Sequence, residues 1–418
     1  MRLLVIGINY APEPTSVAPF TTGLCEHLVE QGHRVSVITA FPYYPQWRTY
    51  DGYRGLLYKF EKINGVGLRR VIHFVPSKPK NLVQRLLHDV SFSINALLAI
   101  PSVGAFDGIF CSSPPPFVPA VAWLASRLGG VPFAMKLTDL AAEAATSLGM
   151  MSGKGSLARW ASILERFNYR RAAGISVLSP AFRENLIQIG VSSAKIHLVP
   201  DWADTEAIRP LPRDNDFRRR NGLTVNDFVM LHAGNMGLKQ GLHTVVEASR
   251  LGELSSAGAD TVWLLVGDGE ERRSLQELAA RCGLSALRFL PLQSSEMFPY
   301  VLATADVLLL IQRANVTDSV IPSKLLTYMA AGRPIVASVN GDSEVARRIQ
   351  EGNCGLAVPP EDPRSLVDAI HYLRAAPAEA QRLGHNGRIY VEKHFAKSVV
   401  LEMYDRFFAK TFLGFDSV

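Results

Sequence analysis

Three short segments in the second half of the chain carry residue types that bind phosphate. HAGNMGLKQGL (residues 232–242) places Gly234, Gly237, Gly241 and Lys239 directly after an apolar run. Glycines let backbone N–H groups approach an anion closely, and the lysine adds charge. LVGDGEE (265–271) holds Gly267 and Gly269 in a second strand-to-helix turn. Pro322-Ser323-Lys324 opens an amphipathic stretch closed by Gly332-Arg333-Pro334. Ser323 suits a helix cap. Lys324 does not suit a helix start, where the dipole disfavours a cation, unless it faces an anion bound at the same place. Each turn alone is common in structural roles. Three at equivalent positions, two with a lysine, point to a phosphorylated ligand.

Other chemistries find less support. No Walker A loop occurs, and INYAPEPTS follows the first apolar run where a dinucleotide fold would carry G-x-G-x-x-G. Asp214-Asn215-Asp216 has a metal-binding spacing but sits in a charged, proline-containing stretch and reads as solvated surface. Cys25, Cys111, Cys282 and Cys354 are scattered, which argues against disulfides and a zinc site and suits a reducing compartment. The net charge of +6 favours phosphorylated ligands or an anionic membrane surface. No basic helix interleaved with aromatics marks a nucleic-acid binder. No leader is apparent and no stretch reads as a membrane span, so a cytoplasmic protein is expected.

The elements that must position these segments alternate. Apolar runs at 3–8, 35–39, 70–75, 108–111, 132–137, 174–178 and 196–199 form one series of strands. Runs at 228–233, 262–266, 287–290, 307–311, 335–338 and 356–358 form a second, with helical stretches between. Val17, Phe20, Leu24 and Leu28 mark one face of a helix ended by Gly32. Such alternation predicts an α/β fold of two doubly wound domains with parallel sheets. The expected boundaries are 1–207 and 208–395, with a linker at 208–216 and a final helical stretch, 396–418, crossing back onto the first domain.

At this point the residues resemble a known family. YAPEPTSVAPFTTGLCEHLVEQGHRVSVITAFPYYPQW (10–47), KLTDLAAEAATSLGMM, VPDWADTE, HAGNMGLKQGL, VGDGEE and PSKLLTYMAAGRPIVASV occur in that order. The set is similar to the retaining GT-B glycosyltransferases, within them to the colanic-acid-type fucosyltransferase and fucosaminyltransferase branch. The resemblance implies two Rossmann-like domains facing each other across a cleft. It implies transfer of a hexosyl group from a UDP- or GDP-sugar to a polyprenyl-linked saccharide, with retention, in exopolysaccharide, capsule or O-antigen synthesis, without metal or other cofactor.

The implied donor residues are Gly234, Asn235, Gly237, Lys239, Gln240, Gly267, Gly269, Pro322, Ser323 and Lys324. Asn235 and Gln240 stand where many members of the wider family carry Arg and Lys, and Ser319 and Thr327 where many carry two glutamates. The cationic role then moves to Lys324, with Lys239 beside it. Asp139, after the run 132–137, is the second catalytic candidate, for the acceptor or the donor sugar; Glu143 lies four residues on. Thr15 and Ser16 can contact phosphate or acceptor. Asp139, Thr15 and Ser16 also suit helix caps, and His73 and His88 read as surface or packing residues.

Residues 78–100 carry an apolar stripe, Leu82, Leu86, Val90, Ile94 and Leu97, with Lys78, Lys80 and Arg85 at its start. Such a helix either packs on the sheet or lies on the inner face of a membrane. Three readings fit the whole: a glycosyltransferase, a GT-B nucleotide-sugar 2-epimerase, and a catalytically silent nucleotide-sugar-binding protein. The transferase consumes donor only with acceptor, the epimerase converts donor alone, and the binder changes neither.

Overall fold

Runs of Val, Ile and Leu that do not alternate with polar residues bury both faces of a strand, and such strands pair in parallel under covering helices. The computed structural model describes residues 1–79, 81–138, 156–253, 260–316 and 322–414. The chain forms two compact units, Met1–Pro200 with Leu401–Val418, and Asp201–Val400.

The first unit holds β1 (Arg2–Ile6), β2 (Arg34–Ala40), β3 (Tyr58–Ile63), β4 (Val66–Val71), β5 (Gly108–Ser113), β6 (Phe133–Leu137), β7 (Gly174–Val177) and β8 (Ile196–Leu198), in the order β3-β4-β2-β1-β5-β6-β7-β8. Among the described residues every pairing is parallel except β3 with β4. The strand expected at 70–75 therefore lies earlier, as one arm of a hairpin. Asn64 and Gly65, at φ 46° and 85°, make its turn, the pair that a type I′ hairpin favours. The edge strand β3 alternates exposed and half-buried residues, so apolar runs do not reveal it.

The helices of this unit are α1 (Ala18–Glu30), α2 (Leu82–Ala99), α3 (Val118–Gly129), α4 (Ser156–Arg171) and α5 (Pro180–Gln188). Asn81 caps α2 by accepting from the Gln84 N–H at 3.1 Å. The helix buries His88, Phe92, Ser93 and Ala96, so its packed face is rotated away from the expected stripe. Leu86 and Ile94 are exposed, together with Val83, Leu87 and Leu98. By length and composition alone, Leu82–Val103 is apolar enough to cross a membrane, with mean hydropathy 1.4 and 22% of the window buried. This corrects the expectation that no stretch qualifies: Arg85 and Asp89 interrupt the run without lowering its mean enough.

The second unit is built from β9 (Phe228–Ala233), β10 (Thr261–Val266), β11 (Leu287–Leu290), β12 (Val307–Ile311), β13 (Ile335–Ser338) and β14 (Gly355–Val358), in the order β11-β10-β9-β12-β13-β14. All of these pairings are parallel. Its helices are α6 (Asp216–Arg220), α7 (His243–Glu253), α8 (Arg272–Arg281), α9 (Phe298–Ala303), α10 (Ser323–Ala330), α11 (Glu344–Gly352), α12 (Pro363–Ala375) and α13 (Pro377–Phe395).

The amino ends of β9 and β12 are stapled together. The buried Arg218 donates to the carbonyls of Thr224 at 2.9 and 2.8 Å, of Thr304 at 2.8 Å, and of Asp227. Asp306 pairs with Arg213 and accepts from the Val229 N–H at 2.8 Å. Residues 208–216, expected to be a linker, are instead fixed to this unit. Arg388 donates to the Ile208 carbonyl at 2.7 Å and Arg333 to the Leu211 carbonyl at 3.0 Å, and the Asn215 side chain caps α6. The units change at Pro200 and Asp201.

The last helix, α14 (Lys397–Phe408), passes back into the first unit from Leu401. There Tyr404, Phe407 and Phe408 pack around Phe110, with ring centroids 6.1, 6.3 and 5.1 Å away. Gly108 and Gly174 admit the segment that follows: a Cβ would lie 2.9 Å from Phe412 and 2.6 Å from Thr411.

Arg218→Ala leaves buried carbonyls unpaired, and we expect it to destabilise the second unit by about 3 kcal/mol or more. Arg218→Lys should not restore it, because one ammonium cannot reproduce the guanidinium fork. Thermal unfolding of the three proteins checks this.

Candidate functional site

In an open parallel sheet the crevice that takes a ligand lies beyond the carboxyl ends of the two strands where strand order reverses. In the second unit those strands are β9 and β12, because β10 and β11 continue on one side of β9 and β13 and β14 on the other. The loop leaving β9 carries residues 234–241, and the segment leaving β12 leads to α10.

Tyr328 fixes the start of α10 against β9. Its buried hydroxyl accepts from the Ala233 N–H at 2.9 Å and lies 3.3 Å from the Ala233 carbonyl. Lys324 stands one turn earlier on the same helix face. Its Nζ lies 3.1 Å from Nε2 of His232, the residue before Ala233. His232 is wholly buried. Burial, and then the charge of Lys324, hold the imidazole well below its usual value. Burial likewise lowers Lys324 to about 7, although the residue keeps some solvent access. Among the described residues no carboxylate pairs with Lys324.

Glycines make this approach possible. A Cβ on Gly234, at φ +123°, would sit 3.2 Å from Lys324 Cε and 3.4 Å from Nζ. A Cβ on Gly267, at φ +143°, would lie 1.9 Å from the Gly234 carbonyl oxygen. The two turns are tied by Gly234 N–H to the Val266 carbonyl and Met236 N–H to the Asp268 carbonyl, both 2.8 Å. Gly269 packs on the backbone of Met236, 2.6 Å from where its Cβ would be. The three segments singled out from sequence thus converge on one end of one sheet.

Their members do different work. Gln240 Oε1 accepts from the Gly237 N–H at 3.1 Å, so Gln240 braces the turn. The Lys239 carbonyl accepts from the Arg313 N–H at 3.1 Å, its side chain is half-buried, and Asn235 is exposed. The expected Ser323 cap is absent: Pro322 is the N-cap, and Ser323 is already the first helical residue and exposed. Thr327 turns its hydroxyl back to the Ser323 carbonyl at 3.3 Å. Asp139, Glu143 and Ser319 lie outside the described residues.

Sequence reasoning missed His232, Tyr328 and a pair beneath the loop. Arg313 Nη2 lies 3.1 Å from Glu271 Oε1, whose other oxygen is buried without a hydrogen bond. Tyr328 was findable from its spacing of four from Lys324, and His232 from its place before the glycine turn. Asp214 and Asp216 instead pair with Arg219, and among the described residues no group of three or more metal-ligating side chains occurs.

In the first unit the reversal lies between β1 and β5. Thr15 Oγ1, in the loop after β1, is buried without a hydrogen bond, and Ser16 adopts φ 63°. Neither caps α1, whose N-cap is Val17. Glu13 pins this loop to the one after β2, accepting from the N–H groups of Tyr43 at 2.8 Å and Tyr44 at 2.7 Å. Burial raises the Glu13 carboxyl, opposed by these bonds. Tyr43, His73 and His88 pack edge-on, with centroids 4.8–5.0 Å apart. Burial lowers His73 to about 3 and His88 to about 4, so both are neutral packing groups, and neither is a surface residue.

Comparison with known proteins agrees with this architecture. Residues 15–202 match the glycosyl transferase 4-like domain, and residues 227–375 match glycosyl transferases group 1. The chain is 30% identical over 421 residues to the putative colanic acid biosynthesis glycosyl transferase WcaI of Escherichia coli K12, covering 97% of this chain and 98% of that one. Its fold is that of HepE from Anabaena, at TM-score 0.72 and 15% identity over 98% of this chain and 100% of the other. WaaG, a glycosyltransferase involved in lipopolysaccharide biosynthesis, superposes at TM-score 0.70 and 16% identity over 96% of this chain and 98% of its own. The fold is GT-B, and the chain belongs to the glycosyltransferases built from a 4-like domain followed by a group 1 domain.

Proposed function

We propose that the second unit binds a nucleoside diphosphate sugar at the β9–β12 reversal, with Lys324 as the cation that holds the diphosphate. One observation carries this: the partly buried Lys324 amine sits at the ligand-binding end of the sheet, beside glycine turns, with no carboxylate partner among the described residues. A buried cation without a counter-charge is costly, and an anionic ligand offsets that cost. The HepE structure holds UDP, and the same protein has been determined with UDP-glucose. UDP-sugars are therefore the first donors to test, with GDP-sugars as the alternative.

Hexosyl transfer makes the diphosphate a leaving group. Negative charge grows on it as the glycosidic bond to the donor breaks, and a preorganised ammonium stabilises that charge more in the transition state than in the ground state. Lys324 supplies the charge that a metal would otherwise bring, so chelation with EDTA is expected to leave the rate unchanged. Lys239, Asn235 and the 234–241 backbone line the donor loop. Asp139 is assigned to the acceptor or the donor sugar, with Glu143 four residues on, and retention at the anomeric carbon is assigned from the resemblance.

The colanic acid named for the WcaI relative supports a role in polysaccharide synthesis, and the polyprenyl-linked saccharide acceptor is proposed from the resemblance. The first unit has a face suited to a lipid surface. Val83, Leu87 and Leu98 on α2 are 65%, 49% and 71% exposed, and Leu57, Tyr58 and Phe60 at the β3 edge are exposed as well. Arg69 joins the two sets: its guanidinium lies 5.6 Å from the Phe60 ring centroid and donates to the Ser102 carbonyl at 3.0 Å. Lys62 and Lys78 add positive charge nearby in sequence, while Lys59 is paired with Glu61 at 3.1 Å. Apolar side chains among basic ones suit the inner, anionic face of a membrane.

Lys324→Ala should weaken binding of the donor by about 1.5–3 kcal/mol while the protein stays folded, read by calorimetry beside thermal unfolding. Unchanged affinity would discard the role. Val83→Glu with Leu98→Glu should release the protein from vesicles containing anionic lipid without shifting its melting temperature. Retention on the vesicles would remove the membrane assignment.

A further inference from the structure

We infer that His232 is the positioning residue for the donor-site cation, and that donor binding draws one proton from solvent onto Lys324. The inference rests on the donor reading above and adds to it. Its geometric basis is the contact between Lys324 Nζ and His232 Nε2 at 3.1 Å, at the carboxyl end of β9.

The choice of partner matters. A carboxylate at position 232 would pair with the ammonium and cancel the charge that the diphosphate needs. A hydrocarbon would leave a buried ammonium with no acceptor. A neutral imidazole accepts one N–H and leaves two for the ligand. It therefore aims the amine without neutralising it. The Asn235 carbonyl lies 3.3 Å from the same ring nitrogen and can accept from it only in the other tautomer, in which Nε2 carries the proton and no longer accepts from Lys324.

The same surroundings leave Lys324 poised between its two forms. Burial lowers it to about 7, so near neutral pH the free protein holds both amine and ammonium. An adjacent diphosphate favours the ammonium and raises that value again. The sign follows: below the free-protein value the cation is already present. Above it, a proton must be taken up for the donor to bind, and affinity falls as pH rises, by up to about tenfold per pH unit. His232 does not titrate in this window, because it is held well below its usual value. Among the described residues, the titratable groups beside Lys324 are His232 on β9 and, one turn on along its own helix, Tyr328, which burial keeps protonated.

The experiment is isothermal calorimetry with UDP-glucose, dTDP-glucose and GDP-mannose, in HEPES and in Tris, between about pH 6.5 and 8.5. The diphosphate of these donors is doubly esterified and has no group titrating there. The expected result is an affinity that weakens with rising pH, with proton uptake approaching one per donor at the upper end. His232→Gln keeps an acceptor and should keep the pH midpoint. His232→Leu should move it to lower pH, so that binding lost at neutral pH returns on acidification. A donor that binds with pH-independent affinity and no proton uptake overturns the inference and leaves the donor site standing. An unshifted midpoint in folded His232→Leu overturns the role of His232. Failure of all three donors to bind at any pH overturns the inference together with the donor reading.

Discussion

The second unit depends on how α10 is seated across the end of β9. Tyr328 takes the last backbone groups of the strand and Lys324 meets His232 just before them. Both contacts come from one helix face, so seating the helix delivers the ammonium. The approach tolerates almost no side-chain volume. Gly234 and Gly267 lie so close that a methyl group on the latter would overlap a carbonyl oxygen. Both hold φ values that other residues adopt only with strain. The glycines of the donor loops are thus the geometric condition for a lysine to reach this place.

The two ends of the same sheet are built differently. At the amino ends of β9 and β12, the buried Arg218 guanidinium and the partly exposed Arg213–Asp306 pair satisfy loop carbonyls and a strand N–H. That end is closed by these bonds. At the carboxyl ends, the ammonium of Lys324 meets a neutral ring, and one oxygen of Glu271 has no hydrogen bond. Buried polar groups are ordinarily satisfied within a fold. A cation with no carboxylate partner among the described residues is what separates the ligand-binding end from the end that holds the sheet.

Much of the frame was legible in the sequence. The strands at 228–233, 307–311 and 335–338 coincide with β9, β12 and β13 because they are buried on both faces and read as unbroken apolar runs, and 287–290 coincides with the edge strand β11. The β3–β4 hairpin was not, because an edge strand has a wet face and its signal lies in the Asn64-Gly65 turn. The packed face of α2 was misplaced for a similar reason: His88 and Ser93 are buried there, and polar residues do not mark a core stripe. Lys324 stood out because a cation at a helix start needs a reason. Its partner did not, since His232 lies 92 residues away and a lone histidine beside a strand reads as packing. Ser323 looked like a cap by type, but one residue of register decides that role.

The most direct measurement is a crystal structure of the protein with a bound nucleoside diphosphate sugar. The account predicts a diphosphate oxygen within about 3 Å of Lys324 Nζ, the distance of a charge-assisted hydrogen bond, with His232 Nε2 still on the other side of the ammonium. A diphosphate bound elsewhere, with Lys324 and His232 undisturbed, would contradict it.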